Sequence, residues 1–225
     1  MPGVAPQEAY GHQVIGASKT QTLEMRVNIK TATPFGGTQA CLTSTLALLV
    51  GLVADPGVKN PCEQLDSWVM SWEKLDATDR RETRVTWALA LGKIVKGKKL
   101  TQTKGPVEAT IAALMHLGWK PAAPDLWIVR GPGGETKATI RLDGKTYTRF
   151  QITAQAQADA QDILWKSAAK HAHGKGLEGG TPSFEPARRA IRYFRRNGHH
   201  EAARALEYVI VGIFKPNATE GKWGI

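Results

Sequence analysis

The side chains in this chain best suited to grip a ligand are five closely spaced arginines: Arg188, Arg189, Arg192, Arg195 and Arg196. On a helix, positions 188, 192, 195 and 196 fall on neighbouring turns and share a face. Ala187, Ile191 and Phe194 fall at the complementary spacing and can pack inward. Guanidinium forks match phosphate oxygens better than ammonium groups do, and few acids lie nearby in the chain. A second basic group comprises Arg80, Arg81 and Arg84 with Lys93, Lys96, Lys98, Lys99 and Lys104. Lysines of this kind supply attraction that is blind to base sequence and weakens with salt. For both groups the competing interpretation is a solvated helix face or helix end.

The other reactive residue types fall short of a site. Trp119, Trp127, Tyr147 and Phe150 could stack on bases, but their places beside short apolar runs fit a core between a small sheet and its covering helices. His171, His173, His199 and His200 do not form a ligand set: residues two apart on a helix point to different faces, and no Cys or carboxylate completes them. The nucleophile elbow, a reactive-cysteine signature, the phosphate-binding loop and the dinucleotide fingerprint are all missing. The glycine-rich stretch Gly174 to Gly180 is interrupted by Leu177 and Glu178 and makes a poor phosphate cradle. No catalytic residue, metal or cofactor is therefore expected.

Composition agrees with a binding protein. The 225 residues suffice for one large or two small domains, and 42% hydrophobic content permits a packed core. The net charge of +10 draws polyanions through long-range attraction and counterion release. Cys41 and Cys62 lie near apolar runs and read as buried free thiols, which suits a reducing intracellular compartment, nuclear, cytoplasmic or organellar. The first 20 residues are mixed and polar, so no secretory signal is expected. Leu42 to Ala54 is the most apolar stretch and falls short of the ~20 residues a spanning helix needs.

The elements that must position these residues read as α+β, mainly α: a helical bundle with a small three-stranded antiparallel sheet and a C-terminal helical hairpin. Residues 1–37 suggest a flexible arm, with Leu23 to Ile29 alternating as one edge strand. Residues 38–119 suggest a helical domain. In it, 38–54 forms an apolar helix, Asn60 caps a helix starting at Pro61, Thr78 or Asp79 opens another running to about Val95, and Gly105-Pro106 opens a fourth that stops at Gly118. Residues 120–152 suggest a β-meander with strands at Asp125–Val129, Lys137–Leu142 and Lys145–Ile152, the last two joined through Asp143-Gly144. Residues 153–215 suggest helices at Ala154–Ala172, Pro186–Arg196 and His200–Phe214, the last two joined at Asn197-Gly198; residues 216–225 form a tail.

Three groups of short motifs carry a family resemblance. One runs from Ala54-Asp-Pro-Gly-Val58 to Pro61-Cys-Glu-Gln-Leu65. Another runs from Gly105-Pro106 through Leu117-Gly-Trp119 to Pro121 and Pro124-Asp-Leu-Trp127. The last is Leu164-Trp-Lys-Ser-Ala-Ala169, His171, His173-Gly174 and Gly176-Leu-Glu-Gly-Gly180, ahead of the basic helix. Across about residues 38–215 they resemble the thumb and connection region of LINE-like (non-LTR retroelement) reverse transcriptases from protist genomes. The resemblance implies a helical thumb that holds a template–primer duplex by its backbone, in agreement with the two basic clusters. It does not carry over catalysis: polymerisation needs carboxylates holding two metal ions. The chain has no Asp-Asp pair, and no fingers or palm precede residue 38. The implied protein is a fragment, a decayed copy or a reading frame put to another use. The expectation is a nucleic-acid-binding module, with RNA or an RNA–DNA duplex as partner. The alternative is a basic accessory subunit of a large ribonucleoprotein or membrane-associated complex.

Overall fold

A computed structural model describes residues 16–95, 103–131, 133–170 and 182–212. Among them the protein is α+β and mainly α, with eight α-helices and one three-stranded antiparallel sheet. In chain order these are α1 (Lys19–Thr31), α2 (Leu42–Leu49), a 3-10 turn (Leu52–Ala54), α3 (Pro56–Lys74), α4 (Ala77–Val95), α5 (Pro106–His116), β1 (Lys120–Ala123), β2 (Leu126–Arg130), β3 (Thr136–Arg141), α6 (Arg149–Ala169), α7 (Glu185–Arg196) and α8 (His200–Val211). No helix of the described residues is long and apolar enough to cross a membrane.

The chain folds into two compact units, a grouping that joins separate stretches rather than the successive segments read from the sequence. Among the described residues one unit takes 16–26 and 56–163, and the other takes 27–55 and 164–212. The first is built around tryptophans. Trp68, Trp72, Trp87, Trp119 and Trp127 are each at most 6% exposed, and each removes on the order of 200 Å² from water. Leu65, Ile111, Leu114, Val129, Ile140 and Ile152 are buried in the same unit. Three of the tryptophan ring N–H groups find an acceptor, whereas that of Trp127 has none among the described residues. Trp68 donates to the Pro124 carbonyl at 2.9 Å, Trp87 to the Pro121 carbonyl at 3.3 Å and Trp119 to Asp159 at 2.7 Å. The second unit buries Phe35, Ala40, Leu48, Ile191, Ala203 and Val211, with Phe184, Phe194 and Tyr208 packed against them. Beside them Cys41, Ala47, Trp165 and Ala168 form a smaller cluster. Cys41 and Cys62 are both buried free thiols.

Several elements differ from the expectations, each for a local reason. Leu23 to Ile29 lies in a helix, α1, and not in an edge strand. Ser18 and Gln21 form a reciprocal capping box: the Ser18 N–H donates to Gln21 Oε1 at 2.9 Å, and the Gln21 N–H donates to Ser18 Oγ at 3.2 Å. The same device overturns the expected strand at Lys145–Ile152. Gln151 Oε1 accepts the Thr148 N–H at 2.9 Å and Thr148 Oγ1 accepts the Gln151 N–H at 3.3 Å, which starts α6 at Arg149. Asp143 does not turn a hairpin; its carboxylate accepts the N–H groups of Lys145 and Thr146 and leads the chain toward α6. The third strand is instead β1, an edge strand that tolerates Pro121. Helix α2 stops at Leu49, because Gly51 takes φ +86 before the 3-10 turn. Helix α3 begins at Pro56 and carries Pro61 inside it. Pro61 has no N–H to return to the Gly57 carbonyl one turn back. The His116 ring N–H bonds to that carbonyl in its place.

Candidate nucleic-acid interface

Helix α7 is where the arginines meet. Glu185 and Pro186 suit its first turn, and Arg195 and Arg196 suit its last, where cations complement the helix dipole. Ile191 is buried, and Phe184 and Phe194 pack beside it, so this stripe anchors the helix in its unit. The remaining circumference carries the five arginines together with Tyr193, which is 63% exposed.

Its five arginines divide by partner. Arg188 turns to the end of α2: its Nε donates to the Leu48 carbonyl at 3.0 Å and its Nη2 to the Ala47 carbonyl. These carbonyls belong to the last turn of α2, which has no intrahelical donors to offer them. Arg188 therefore faces the protein and does not share an open face with Arg192 and Arg196. Arg195 pairs with the buried Glu207 of α8. Arg189 and Arg192 both reach one carboxylate, Glu185, at 3.1 and 3.0 Å. That carboxyl is held below its usual pKa range, first by the hydrogen bond from Arg189 and also by the charge of Arg192. Arg196 is exposed and makes no ion pair among the described residues. Residues 185, 189, 192 and 196 thus form one exposed stripe of three cations and one anion.

The second cluster belongs to the other unit. Arg80 caps α3 as Arg188 caps α2: its Nη2 donates to the carbonyls of Trp72 at 3.2 Å and Glu73 at 3.4 Å. Its guanidinium also lies over the Trp72 ring at 5.4 Å. Arg84 pairs with Asp125 at 2.8 Å and covers the same ring. Lys93 lies 3.9 Å from Glu108. Arg81 and Lys104 are exposed, with no ion pair among the described residues. Lys96, Lys98 and Lys99 lie outside the described residues, as do His171, His173 and Gly174 to Gly180. Among the described residues no group of three His, Cys, Asp or Glu side chains could hold a metal ion. Trp119 and Trp127 are core residues, whereas Phe150 is 81% exposed at the start of α6.

Comparison with protein-family models, with curated proteins and with solved structures yields no match. The reverse-transcriptase resemblance accordingly stands on its short motifs alone.

Proposed function

We propose that the protein binds nucleic acid by its sugar–phosphate backbone, without reading base sequence, and that the exposed stripe of α7 is a contact surface. In this reading it is a module of the kind found in the thumb and connection region of retroelement reverse transcriptases. The observation that carries it is the stripe itself: Arg189 and Arg192 share Glu185, and their side chains remain 75% and 58% exposed, with Arg196 beyond them. Exposed ion pairs of this kind hold little, because water and salt screen them. A phosphate that accepts a guanidinium fork can therefore displace the carboxylate. Arg188 is left out, because its Nε and Nη2 already donate to backbone carbonyls. The test is a binding titration of a short RNA–DNA duplex at several salt concentrations, comparing the full chain with its Arg189→Gln/Arg192→Gln/Arg196→Gln variant. Loss of three phosphate contacts lowers the slope of log K against log salt by roughly 2.7. An unchanged slope ends the reading.

A second reading, an accessory subunit, draws on the surface of α4. Val85 and Leu89 stand one turn apart and are 58% and 64% exposed. Its mark is concentration-dependent self-association that Val85→Glu/Leu89→Glu abolishes.

A further inference from the structure

The sheet carries a charge pattern that the helices do not explain. Pairing sets Pro121 beside Trp127 beside Ile140, and Val129 beside Ala138. These residues face the core. By the pleat, the other face shows Lys120 beside Ile128 beside Thr139, Leu126 beside Arg141, and Arg130 at the end of β2. On it Lys120, Arg130, Lys137, Thr139 and Arg141 are exposed, while Leu126 and Ile128 are half-buried. None of the three strands contains an Asp or Glu. Lys120, Arg130, Lys137 and Arg141 make no ion pair among the described residues, unlike Arg84, Arg149, Arg189, Arg192 and Arg195 in the helices.

The neighbouring acids sit in the connections. Asp125 is paired with Arg84 at 2.8 Å. Asp143 is occupied by its own turn, where the N–H groups of Thr146 and Lys145 hold its carboxyl down to about 2. Glu135 lies in the turn between β2 and β3.

Spacing narrows the ligand. With strands about 4.8 Å apart and about 6.8 Å per two residues, the Cα of Lys120 lies about 8 Å from Arg130 and about 12 Å from Arg141, with about 14 Å between the arginines. Lys137 neighbours Arg130 across the strand pair, while Lys120 and Arg141 stand apart from them; so spread a set does not close on one small anion, but its members can meet different phosphates of an extended polyanion. The face has no aromatic ring, since Trp127 points to the core, so bases find nothing to stack on. An anionic membrane would call for apolar side chains projecting past the charges, and Leu126 and Ile128 lie sunk between theirs.

We propose that the outer face of the sheet is a second polyanion-binding surface, taking the sugar–phosphate backbone of a nucleic acid independently of α7. The experiment uses the full chain with Lys120→Gln/Arg130→Gln/Arg141→Gln, and a control of equal charge, Lys59→Gln/Lys74→Gln/Lys170→Gln. Both are titrated with a short fluorescent duplex and with phosphatidylserine vesicles, and thermal melts confirm that both fold. The sheet variant is expected to lose about 2.7 from the salt slope, so that between 50 and 200 mM salt it weakens about 40-fold less than the parent chain. The control keeps the parental slope. Equal losses in the two variants overturn the proposal, because net charge alone then accounts for binding. So does an unchanged duplex slope, and so does a loss confined to vesicles. The α7 variant is measured alongside: a slope that falls only there refutes the sheet and spares α7, and the converse result does the reverse.

Discussion

Arg188 offers the sharpest test of how the arginines of α7 divide their work. Replacing it by alanine removes donors from two carbonyls, those of Leu48 and Ala47, whose residues are 5% and 2% exposed. Hydrogen bonds from a charged donor contribute about 1.5–3 kcal/mol each, and a cation at a partly buried helix C-terminus contributes up to ~2 kcal/mol through the dipole. These contributions overlap, and Arg188 is itself only half-buried, so an expected loss of about 2 kcal/mol is the conservative sum. That corresponds to roughly a 30-fold increase in local opening. Amide hydrogen exchange across Leu42–Leu49 reads it directly, because α2 is the element that Arg188 caps. The Arg189→Gln/Arg192→Gln/Arg196→Gln variant should leave exchange in α2 within a few-fold, since exposed pairs contribute little. Duplex binding should respond in the opposite order, with the salt slope kept in Arg188→Ala and lowered in the triple variant. Unchanged exchange in Arg188→Ala would show that water serves those carbonyls equally well and would refute the division.

Three further outcomes follow from the first unit. Burial, reinforced by the charges of Lys19 and Arg26, outweighs the bond to the Gly57 carbonyl and lowers the His116 pKa below its ordinary 6.5. The unfolded chain then takes up the proton more readily, so the contribution is complete above pH 6.5 and is lost as pH falls below it; His116→Gln should flatten urea-unfolding stability between pH 7 and 5. Burial pushes the Cys62 thiol up to about 12, so alkylation of Cys62 at pH 8 should wait on unfolding and track added urea; rapid labelling of the native chain would contradict this. Trp119→Phe keeps an aromatic side chain, though a smaller one, and removes the donor to Asp159 at 2.7 Å; urea unfolding should register a loss of about 1–3 kcal/mol from the hydrogen bond, with Trp119→Phe/Asp159→Asn recovering part of it.

How much of this was legible in the sequence depends on the range of the interaction that decides each feature. Helices bounded by Gly or Pro were readable: Gly105-Pro106 opens α5 and Gly118, at φ +74, follows its end. The α7–α8 hairpin around Gly198 was readable for the same reason. Two of the misread elements, α1 and α6, begin with a capping box whose partner is Gln, Ser18 with Gln21 and Thr148 with Gln151. In each, a period-2 run of apolar residues drew attention away from a start signal three residues long. β1 was missed because proline argues against strands in general, though not against an edge. Such features are local, and a stricter reading of the same residues finds them.

The site is a harder matter, because what an arginine does depends on which groups the fold brings to it. Arg188, Arg192 and Arg195 occupy equivalent places in a basic pattern, yet one meets the end of α2, one a carboxylate on its own helix and one a buried carboxylate on α8. No spacing rule separates them, since α2 lies about 140 residues away in the chain. Arg80 repeats the lesson in the other unit by closing the end of α3. A helix C-terminus and a phosphate present the same thing to a guanidinium: a cluster of oxygens carrying negative potential. A dense arginine pattern is therefore evidence for an oxygen-rich partner, and only the fold says whether that partner is inside the protein. The residues still available to an external polyanion are those the fold leaves without an internal acceptor, or with an exposed and shared one. By that criterion Arg196, Arg189 and Arg192 on α7 rank with Lys120, Arg130 and Arg141 on the sheet, although the first three stand in a conspicuous cluster and the last three are scattered along 22 positions of sequence.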